Sequence, residues 1–179
     1  MDNHKLKFTL LEQEIFSLLS QNAGKKFSQR EIAKLLEVSP TAVSKTIKRL
    51  IEKKLIKIEK TKNINFVFFN RDEQKAIELK RIENLRQIYL SGLSDFLLNN
   101  LPGTTIILFG SYSIGEDIFN SDIDIAIIGR KEKILQLDKY ERILNRTIHI
   151  LFFDSWKKIN KHLKNNILNG IVLHGNIEI

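Results

Sequence analysis

Gly110-Ser111, in the second half of the chain, has the residue types of a phosphate-binding turn. It follows the apolar run from Thr104 to Phe109, which predicts a buried strand because β-branched and apolar residues dominate it. A strand that ends in Gly-Ser before a helix presents backbone N–H groups and a hydroxyl at one point. This geometry suits an anionic phosphate. Taken alone, the pair is explained about as well by a plain turn.

Asp122-Ile123-Asp124 is the second stretch that could do chemistry. It lies in the run from Ser121 to Ile128, which predicts another strand. Residues two apart in a strand point to the same face, so the two carboxylates should lie side by side. Such a pair repels unless a cation sits between them, and Mg²⁺ bound also by substrate phosphates is the usual solution. The alternative is an exposed strand face that uses Asp for solubility, but Asp is a poor strand former.

The segment GSYSIGEDIFNSDIDIAII resembles the Gly-Ser…Asp-x-Asp signature of the DNA polymerase beta-like nucleotidyltransferases. It is most similar to their minimal bacterial and archaeal branch. The resemblance covers about residues 104–175 and implies a small fold with a mixed sheet and flanking helices. Its later elements would be a helix at Lys131–Asn145, a strand at Thr147–Phe153, a helix at Asp154–Asn169 and the short tail Gly170–Gly175.

This resemblance implies roles for the two motifs. Gly110 and Ser111 would hold the outer phosphates of a nucleoside triphosphate, and Asp122 and Asp124 would bind Mg²⁺. Gly115 matches the small residue of the helix turn. Members of the family attach a nucleoside monophosphate to an acceptor hydroxyl and release pyrophosphate.

One position departs from the pattern of the active members, which place a third carboxylate on the following strand. That carboxylate helps to hold a second metal and activates the acceptor hydroxyl. The equivalent position here is His149. The nearby Asp154 would point to the opposite face of the strand and is expected to cap a helix instead. A neutral imidazole could act as a base, but it binds Mg²⁺ poorly. The domain is therefore inactive and kept as a nucleotide sensor or scaffold, or is a weak or altered transferase, or receives its carboxylate from elsewhere.

The first 70 residues have the pattern of a helix-turn-helix. Apolar spacing predicts a helix over residues 8–21. Ser28 with Glu31 forms a capping box for a helix from Gln29 to Leu36. Ser39 caps the next helix, which begins at Pro40 and runs to about Lys54. Two alternating runs, residues 55–60 and 65–69, predict a β-hairpin with the polar turn Thr61-Lys62-Asn63.

Residues 8–70 resemble the winged helix-turn-helix transcription regulators, with the best match in SQREIAKLLEVSPTAVSKTIKRLIEKKLI. The third helix would enter the major groove of double-stranded DNA. Its small polar residues would approach base edges, and its cations and those of the wing would contact phosphates. The candidate DNA-binding residues are Ser39, Thr41, Ser44, Lys45, Lys48, Arg49, Lys60 and Lys62.

The uneven charge of the chain supports a polyanion partner for the first half. The net charge of the whole chain is +8. Residues 1–70 hold 14 Lys and Arg against 7 Asp and Glu (+7), whereas residues 71–179 hold 15 against 14 (+1). A basic domain beside a near-neutral one favours nucleic acid as the partner of the first. The alternatives are a solvated Lys-rich surface, and a winged helix that serves for dimerisation or docking.

The fold class predicted for the whole chain is α+β, in three parts. Residues 1–70 form the winged helix of three helices and a β-hairpin wing, residues 71–101 a helical linker, and residues 102–179 the nucleotidyltransferase-like domain. The linker is one long helix or two broken near Gly92, with an apolar stripe formed by Ile77, Ile82, Leu85, Ile88 and Leu93. Part of this stripe could form a homodimer interface, by analogy with other winged-helix regulators.

Composition excludes several classes of protein. The chain has no cysteine, so disulfides and thiolate metal sites are excluded. It has no apolar run that could span a bilayer and no signal-like N-terminus, so a cytoplasmic protein is expected.

Two functions are compatible with these features. The first is a DNA-binding regulator whose second domain binds nucleoside triphosphate and Mg²⁺. The second is an active nucleotidyltransferase that modifies a protein or nucleic-acid hydroxyl. The resemblance to minimal nucleotidyltransferases, which are often antitoxins, makes a HEPN-type partner plausible for this second function.

Overall fold

A computed structural model describes residues 7–62 and 64–178. Asn63, in the predicted wing turn, lies outside them. The chain divides after Lys80 into two compact units. Within the described ranges no helix is both long and apolar enough to cross a membrane.

The N-terminal unit is a winged helix, as the sequence predicts. Its hairpin is joined by a two-residue strand that the sequence pattern did not reveal, and the antiparallel sheet has the order β1-β3-β2. The elements are α1 (Leu10–Gln21), β1 (Phe27–Ser28), α2 (Gln29–Leu35), α3 (Pro40–Glu52), β2 (Ile56–Lys60) and β3 (Asn65–Phe69).

Side-chain caps define where the three helices begin. The Ser28 hydroxyl accepts the amide of Glu31, whose carboxylate accepts the amide of Ser28, so the predicted capping box is present. Thr9 and Glu12 form a second box that starts α1. The Ser39 hydroxyl accepts the amide of Ala42 at the start of α3. These caps fix the register of α3 and therefore which of its side chains face outward.

The segment after the wing forms two helices, α4 (Gln74–Leu90) and α5 (Leu93–Asn100). Gly92 separates them with a φ of +77°, a conformation that glycine adopts without steric cost. The predicted apolar stripe is wrong at Ile82, which is 63% exposed. The buried positions of α4 instead follow helical spacing and are mostly polar, namely Ala76, Lys80, Glu83, Asn84 and Ile88.

The C-terminal unit contains a mixed four-stranded sheet of order β6-β5-β4-β7. β5 pairs antiparallel with β4 and parallel with β6, and β7 pairs antiparallel with β4. This arrangement confirms the predicted mixed sheet. The elements are β4 (Thr105–Phe109), α6 (Gly110–Ile114), β5 (Ile123–Ile128), α7 (Asp138–Leu144), β6 (Ile148–Phe153), α8 (Lys161–Leu168) and β7 (Ile171–His174).

Both faces of this sheet contribute to apolar cores. One face, with Ile123 and Ile125, forms a core with Leu97 of α5, and all three side chains are fully buried. The other includes Ala126 and packs with α8 through Ile167. Ile123 and Ile125 therefore point away from the face that Asp124 shares with Ala126.

Two predicted helices are shorter than expected. Residues 131–137 are irregular, and α7 begins only at Asp138. The helix predicted over Asp154–Asn169 is split. A 3₁₀ turn at Trp156–Lys158 precedes Ile159, which is extended and buried, and the Asn160 side chain then caps α8.

Candidate functional site

Three adjacent strands bring the predicted site residues to one edge of the sheet. Phe109 at the end of β4 pairs with Asp124 of β5, and Asp124 pairs with His149 of β6. Asp122 immediately precedes β5. The two carboxylates, the Gly-Ser turn after β4 and the imidazole therefore lie at the same edge of the sheet.

The imidazole of His149 lies between the two carboxylates. Its Nδ1 is 3.8 Å from Asp122 Oδ2 and 4.0 Å from Asp124 Oδ1. The side chains are part-exposed, at 56% for His149, 44% for Asp122 and 35% for Asp124. All three are accessible to a ligand from solvent.

Gly110 makes room for the carboxylate of Asp124. Its φ is +73°, and a Cβ built at this position would lie 2.5 Å from Asp124 Oδ2. Any other residue would be strained in this backbone conformation and would also displace the carboxylate. The sequence predicted that a glycine here lets a phosphate approach the backbone. The structure adds that the same absence of a side chain lets Asp124 approach it.

The turn after β4 is fixed by its own hydrogen bonds. The Ser113 hydroxyl is buried and donates to the Gly110 carbonyl at 2.8 Å. The amide of Glu116 donates to the Ser111 carbonyl at 3.0 Å, and Gly115 ends α6 with a φ of +81°. Ser111 itself is half-buried, and no hydrogen bond of its hydroxyl is seen among the described residues. Its hydroxyl is thus available to an added ligand.

Burial raises the pKa of Asp124 above its ordinary value. The nearby His149 lowers this pKa, and the Asp122 carboxylate raises it further. Over residues 7–62 and 64–178, neither carboxylate has an ion pair with Lys or Arg. A divalent cation between the carboxylates would relieve this accumulated negative charge.

The carboxylates fit Mg²⁺ in chemistry, because this ion prefers oxygen ligands and often takes only one or two carboxylates plus substrate phosphates. Among the described residues no group of three or more Asp, Glu, His or Cys side chains is arranged to hold a metal ion without other ligands. Asp154 follows β6 at the opposite end of the strand from His149 and pairs with Lys158. It does not cap the turn that follows, contrary to the expectation from sequence.

A buried polar cluster donates a hydrogen bond to α6, next to the Gly-Ser turn, and has no counterpart in the sequence motifs. It consists of Asn84, Asp117 and Arg146, none more than 9% exposed. Tyr112 lies beside it, and burial raises the pKa of its hydroxyl, as does the charge of Asp117. Asn84 lies on the buried face of α4. Because that face is mostly polar, the spacing of apolar residues in the sequence does not indicate the cluster.

The candidate DNA-binding residues occupy one side of α3 and the wing. Seven of the eight are exposed and Ser44 is half-buried. The cations among them, Lys45, Lys48, Arg49, Lys60 and Lys62, form no ion pair within the part of the chain that the structure describes. Cations elsewhere in the same unit do pair, namely Lys26 with Glu59, Lys53 with Glu12 and Lys57 with Asp72.

Some solved structures align with part of this chain at low overall similarity. A variant of ZitR from Lactococcus lactis is 27% identical over 53% of this chain and 63% of that chain, with a TM-score of 0.40. The adhesin competence repressor AdcR from Streptococcus pyogenes is 21% identical over 57% and 72%, with a TM-score of 0.43. A ZitR variant in complex with DNA is 24% identical over 55% and 65%, with a TM-score of 0.39. This chain thus spans less than two thirds of the ZitR chains, and no curated protein matches it significantly.

Family models match both halves of the chain. Residues 12–64 match the HTH domain model, which covers most of α1 and extends past β2. Residues 90–174 match the nucleotidyltransferase domain model, which covers α5 to β7 and contains Gly110, Ser111, Asp122 and Asp124. The chain therefore carries a helix-turn-helix domain followed by a nucleotidyltransferase domain.

Proposed function

We propose that this protein is a DNA-binding regulator whose nucleotidyltransferase domain binds a nucleoside triphosphate together with Mg²⁺. The observation that carries the nucleotide half is the convergence of Gly110, Asp122 and Asp124 at one sheet edge. Bound Mg²⁺ would supply positive charge to the carboxylates and the phosphates. The backbone of Gly110 and the hydroxyl of Ser111 bind the outer phosphates.

The test of nucleotide binding is calorimetry on the full chain with ATP and Mg²⁺. Binding is expected only when both are present, and Asp122→Asn or Asp124→Asn should weaken it at least about tenfold, because each removes a charged metal ligand. Asp154→Asn is the matched control, since that carboxylate lies at the other end of β6. Equal binding by wild type and both Asn variants would refute the assignment.

DNA binding is carried by the unpaired cations of α3 and the wing. Unpaired Lys and Arg on one face are free to displace the counterions of a DNA backbone, and Thr41 and Ser44 lie at the end of α3 that contacts base edges in helix-turn-helix proteins.

Changing Lys45, Lys48 and Arg49 together to Ala tests this assignment. If each contacts one phosphate, the slope of log K against log salt should become shallower by about 2.7. Changing Lys131, Lys157 and Lys161 to Ala removes the same charge from exposed positions in the C-terminal unit and should leave the slope unchanged. An equal effect of both triple variants would show that only the net charge matters.

His149 decides whether the nucleotide is turned over. We infer that it makes the site a poor catalyst, because imidazole stands where the active members of the family have a third carboxylate. In the alternative, an active transferase, the acceptor oxygen bonds to the α-phosphorus, the α–β phosphoanhydride bond breaks and pyrophosphate leaves. The acceptor proton then passes to His149, which is exposed enough to receive it.

Label transfer from α-³²P-ATP to a panel of acceptors separates these functions. The proposed regulator shows no transfer in wild type and acquires it in His149→Asp, which restores the third carboxylate. The alternative shows transfer in wild type that falls in His149→Ala. The homodimer and the HEPN-type partner stay predictions from the sequence.

A further inference from the structure

The buried polar cluster of Asn84, Asp117 and Arg146, here called the anchor cluster, joins the chain segments that carry the candidate site. Asn84 belongs to α4, Asp117 to the irregular segment between α6 and β5, and Arg146 to the turn that ends two residues before β6. Their exposures are 1%, 1% and 9%. Three distant parts of the sequence therefore meet in one buried set of polar contacts.

Asn84 ties the phosphate turn to the segment that leads to the carboxylates. Its Nδ2 donates to Asp117 Oδ1 at 2.7 Å and to the Tyr112 carbonyl of α6 at 2.9 Å. One side-chain amide thus uses both hydrogens to hold two different elements. Tyr112 lies one residue after Ser111, so a hydrogen bond to its carbonyl restrains the position of the turn.

Arg146 holds the same segment from the other side. Its Nη2 lies 3.5 Å from Asp117 Oδ2, and its Nη1 donates to the Phe119 carbonyl. The guanidinium fork therefore contacts the segment at two points, a geometry that a single ammonium cannot reproduce. The Arg146 and Asp117 side chains are 5% and 0% exposed, so solvent screens this pair little.

The segment held in this way has no helix or strand of its own between Gly115 and Asp122. Its other restraints include the Ile118 amide, which donates to Ser121 Oγ at 2.9 Å, and the Ile123 amide, which donates to the Thr147 carbonyl at 2.9 Å. The second bond joins the start of β5 to the residue after Arg146. The position of Asp122 therefore depends on contacts made by the anchor cluster.

A buried ion pair contributes little net stability, because desolvation offsets most of the Coulomb attraction. Apolar residues of similar volume would fill the same space with comparable stability. The polar cluster instead fixes the relative positions of the segments that it joins, because each hydrogen bond holds a particular donor against a particular acceptor. This favours a role in geometry over a role in stability.

We propose that Asn84, Asp117 and Arg146 are positioning residues that set the two carboxylates, Asp122 and Asp124, against the Gly110-Ser111 turn and His149. They touch neither nucleotide nor metal and act through the backbone of residues 112–122. The consequence for metal binding rests on the function proposed above, whereas the positioning itself does not.

The experiment uses the full chain with Asp117→Asn and Arg146→Lys. Asp117→Asn keeps the volume of the side chain and removes its negative charge. Arg146→Lys keeps the positive charge but loses the two-pronged contact of the guanidinium. Leu97→Ala is the control, because it opens a cavity in the same unit at a fully buried residue of α5 that has no part in the cluster. Arg146→Lys carries the test alone if Asp117→Asn does not fold.

The first readout is amide hydrogen exchange in the absence of metal. Exchange at Ile118 and Ile123 should speed up at least tenfold in the cluster variants relative to the amides of β7. Leu97→Ala should change both groups of amides alike, since it acts on overall stability. Uniform acceleration in the cluster variants, or none, would overturn the positioning role.

The second readout is Mn²⁺ affinity, measured from the free-ion EPR signal. Both cluster variants should bind Mn²⁺ about tenfold more weakly, and Leu97→Ala should bind as wild type does. Wild-type affinity in cluster variants that show local exchange would overturn the link between the cluster and the carboxylates. If wild type binds no Mn²⁺, the function proposed above fails, and the exchange readout still decides the positioning role.

Discussion

The outward face of α3 and the strand-edge site around Asp124 differ in how their charged side chains are held. The cations of α3 and the wing are exposed and have no ion pairs within the described residues. Those of α3 stand on a helix that its own cap and buried residues hold in place. Asp122 and Asp124 both lie within 4.0 Å of His149, and a buried polar cluster holds the segment that leads to them. The first surface can adapt to its ligand, whereas the second depends on a geometry fixed before the ligand arrives.

This difference predicts how each region responds to change. Removing a cation from α3 should reduce affinity by increments, because each phosphate contact contributes separately. Moving a carboxylate at the strand edge should weaken binding more abruptly, because changes to the groups that orient metal ligands typically cost about 10- to 100-fold in metal affinity.

Gly110→Ala should have the largest effect. The added Cβ would lie 2.5 Å from Asp124 Oδ2, so the carboxylate must move, and binding of ATP with Mg²⁺ should weaken by up to about 100-fold. Calorimetry on the full chain measures this. Gly92→Ala is a matched control, because Gly92 also has a positive φ but no described atom lies within 4 Å of its added Cβ. Equal losses in both variants would mean that backbone strain, and not the displaced carboxylate, is responsible.

Changing Lys60 and Lys62 to Ala should have a moderate effect, confined to DNA. These wing cations are exposed, and if each contacts one phosphate the salt slope should become shallower by about 1.8. Fluorescence anisotropy at several salt concentrations measures the slope. Unchanged slope and affinity would remove the wing from the DNA-binding surface and leave α3 alone.

Asp124→Asn should have the smallest effect, a gain in stability. Because the pKa of Asp124 is raised in the folded protein, the folded state binds a proton more tightly than the unfolded state. Wild type therefore loses stability as pH rises from the unfolded pKa through the folded one. Thermal unfolding with a chelator present should show the Asp124→Asn variant to be more stable than wild type at pH 7 by less than about 1 kcal/mol, since a part-exposed charge is screened. The difference should vanish near pH 3, and a less stable variant at pH 7 would contradict the prediction.

Much of this architecture follows from local signals in the sequence. The Ser28–Glu31 box, the Ser39 cap and Pro40 specify the helix-turn-helix, because caps act over three or four residues. The period-2 alternation around Asp122 and Asp124 likewise specifies which side chains share a face.

The features that the sequence did not predict depend on contacts between distant residues. The pairing of β1 with β3, the approach of Asp124 to Gly110 and the meeting of Asn84 with Asp117 all join segments far apart in the chain. The exposure of Ile82 has the same origin, because polar residues occupy the buried face of α4. No periodicity of apolar residues indicates a buried face of this kind.

A crystal structure of the full chain with Mg²⁺ and a non-hydrolysable ATP analogue tests the central claim most directly. The account predicts one metal ion bound by the carboxylates of Asp122 and Asp124, and the triphosphate against the backbone of Gly110 and the hydroxyl of Ser111. It also predicts that His149 stays outside the coordination sphere of the metal. A nucleotide bound elsewhere, with both carboxylates still directed at the imidazole of His149, would contradict it.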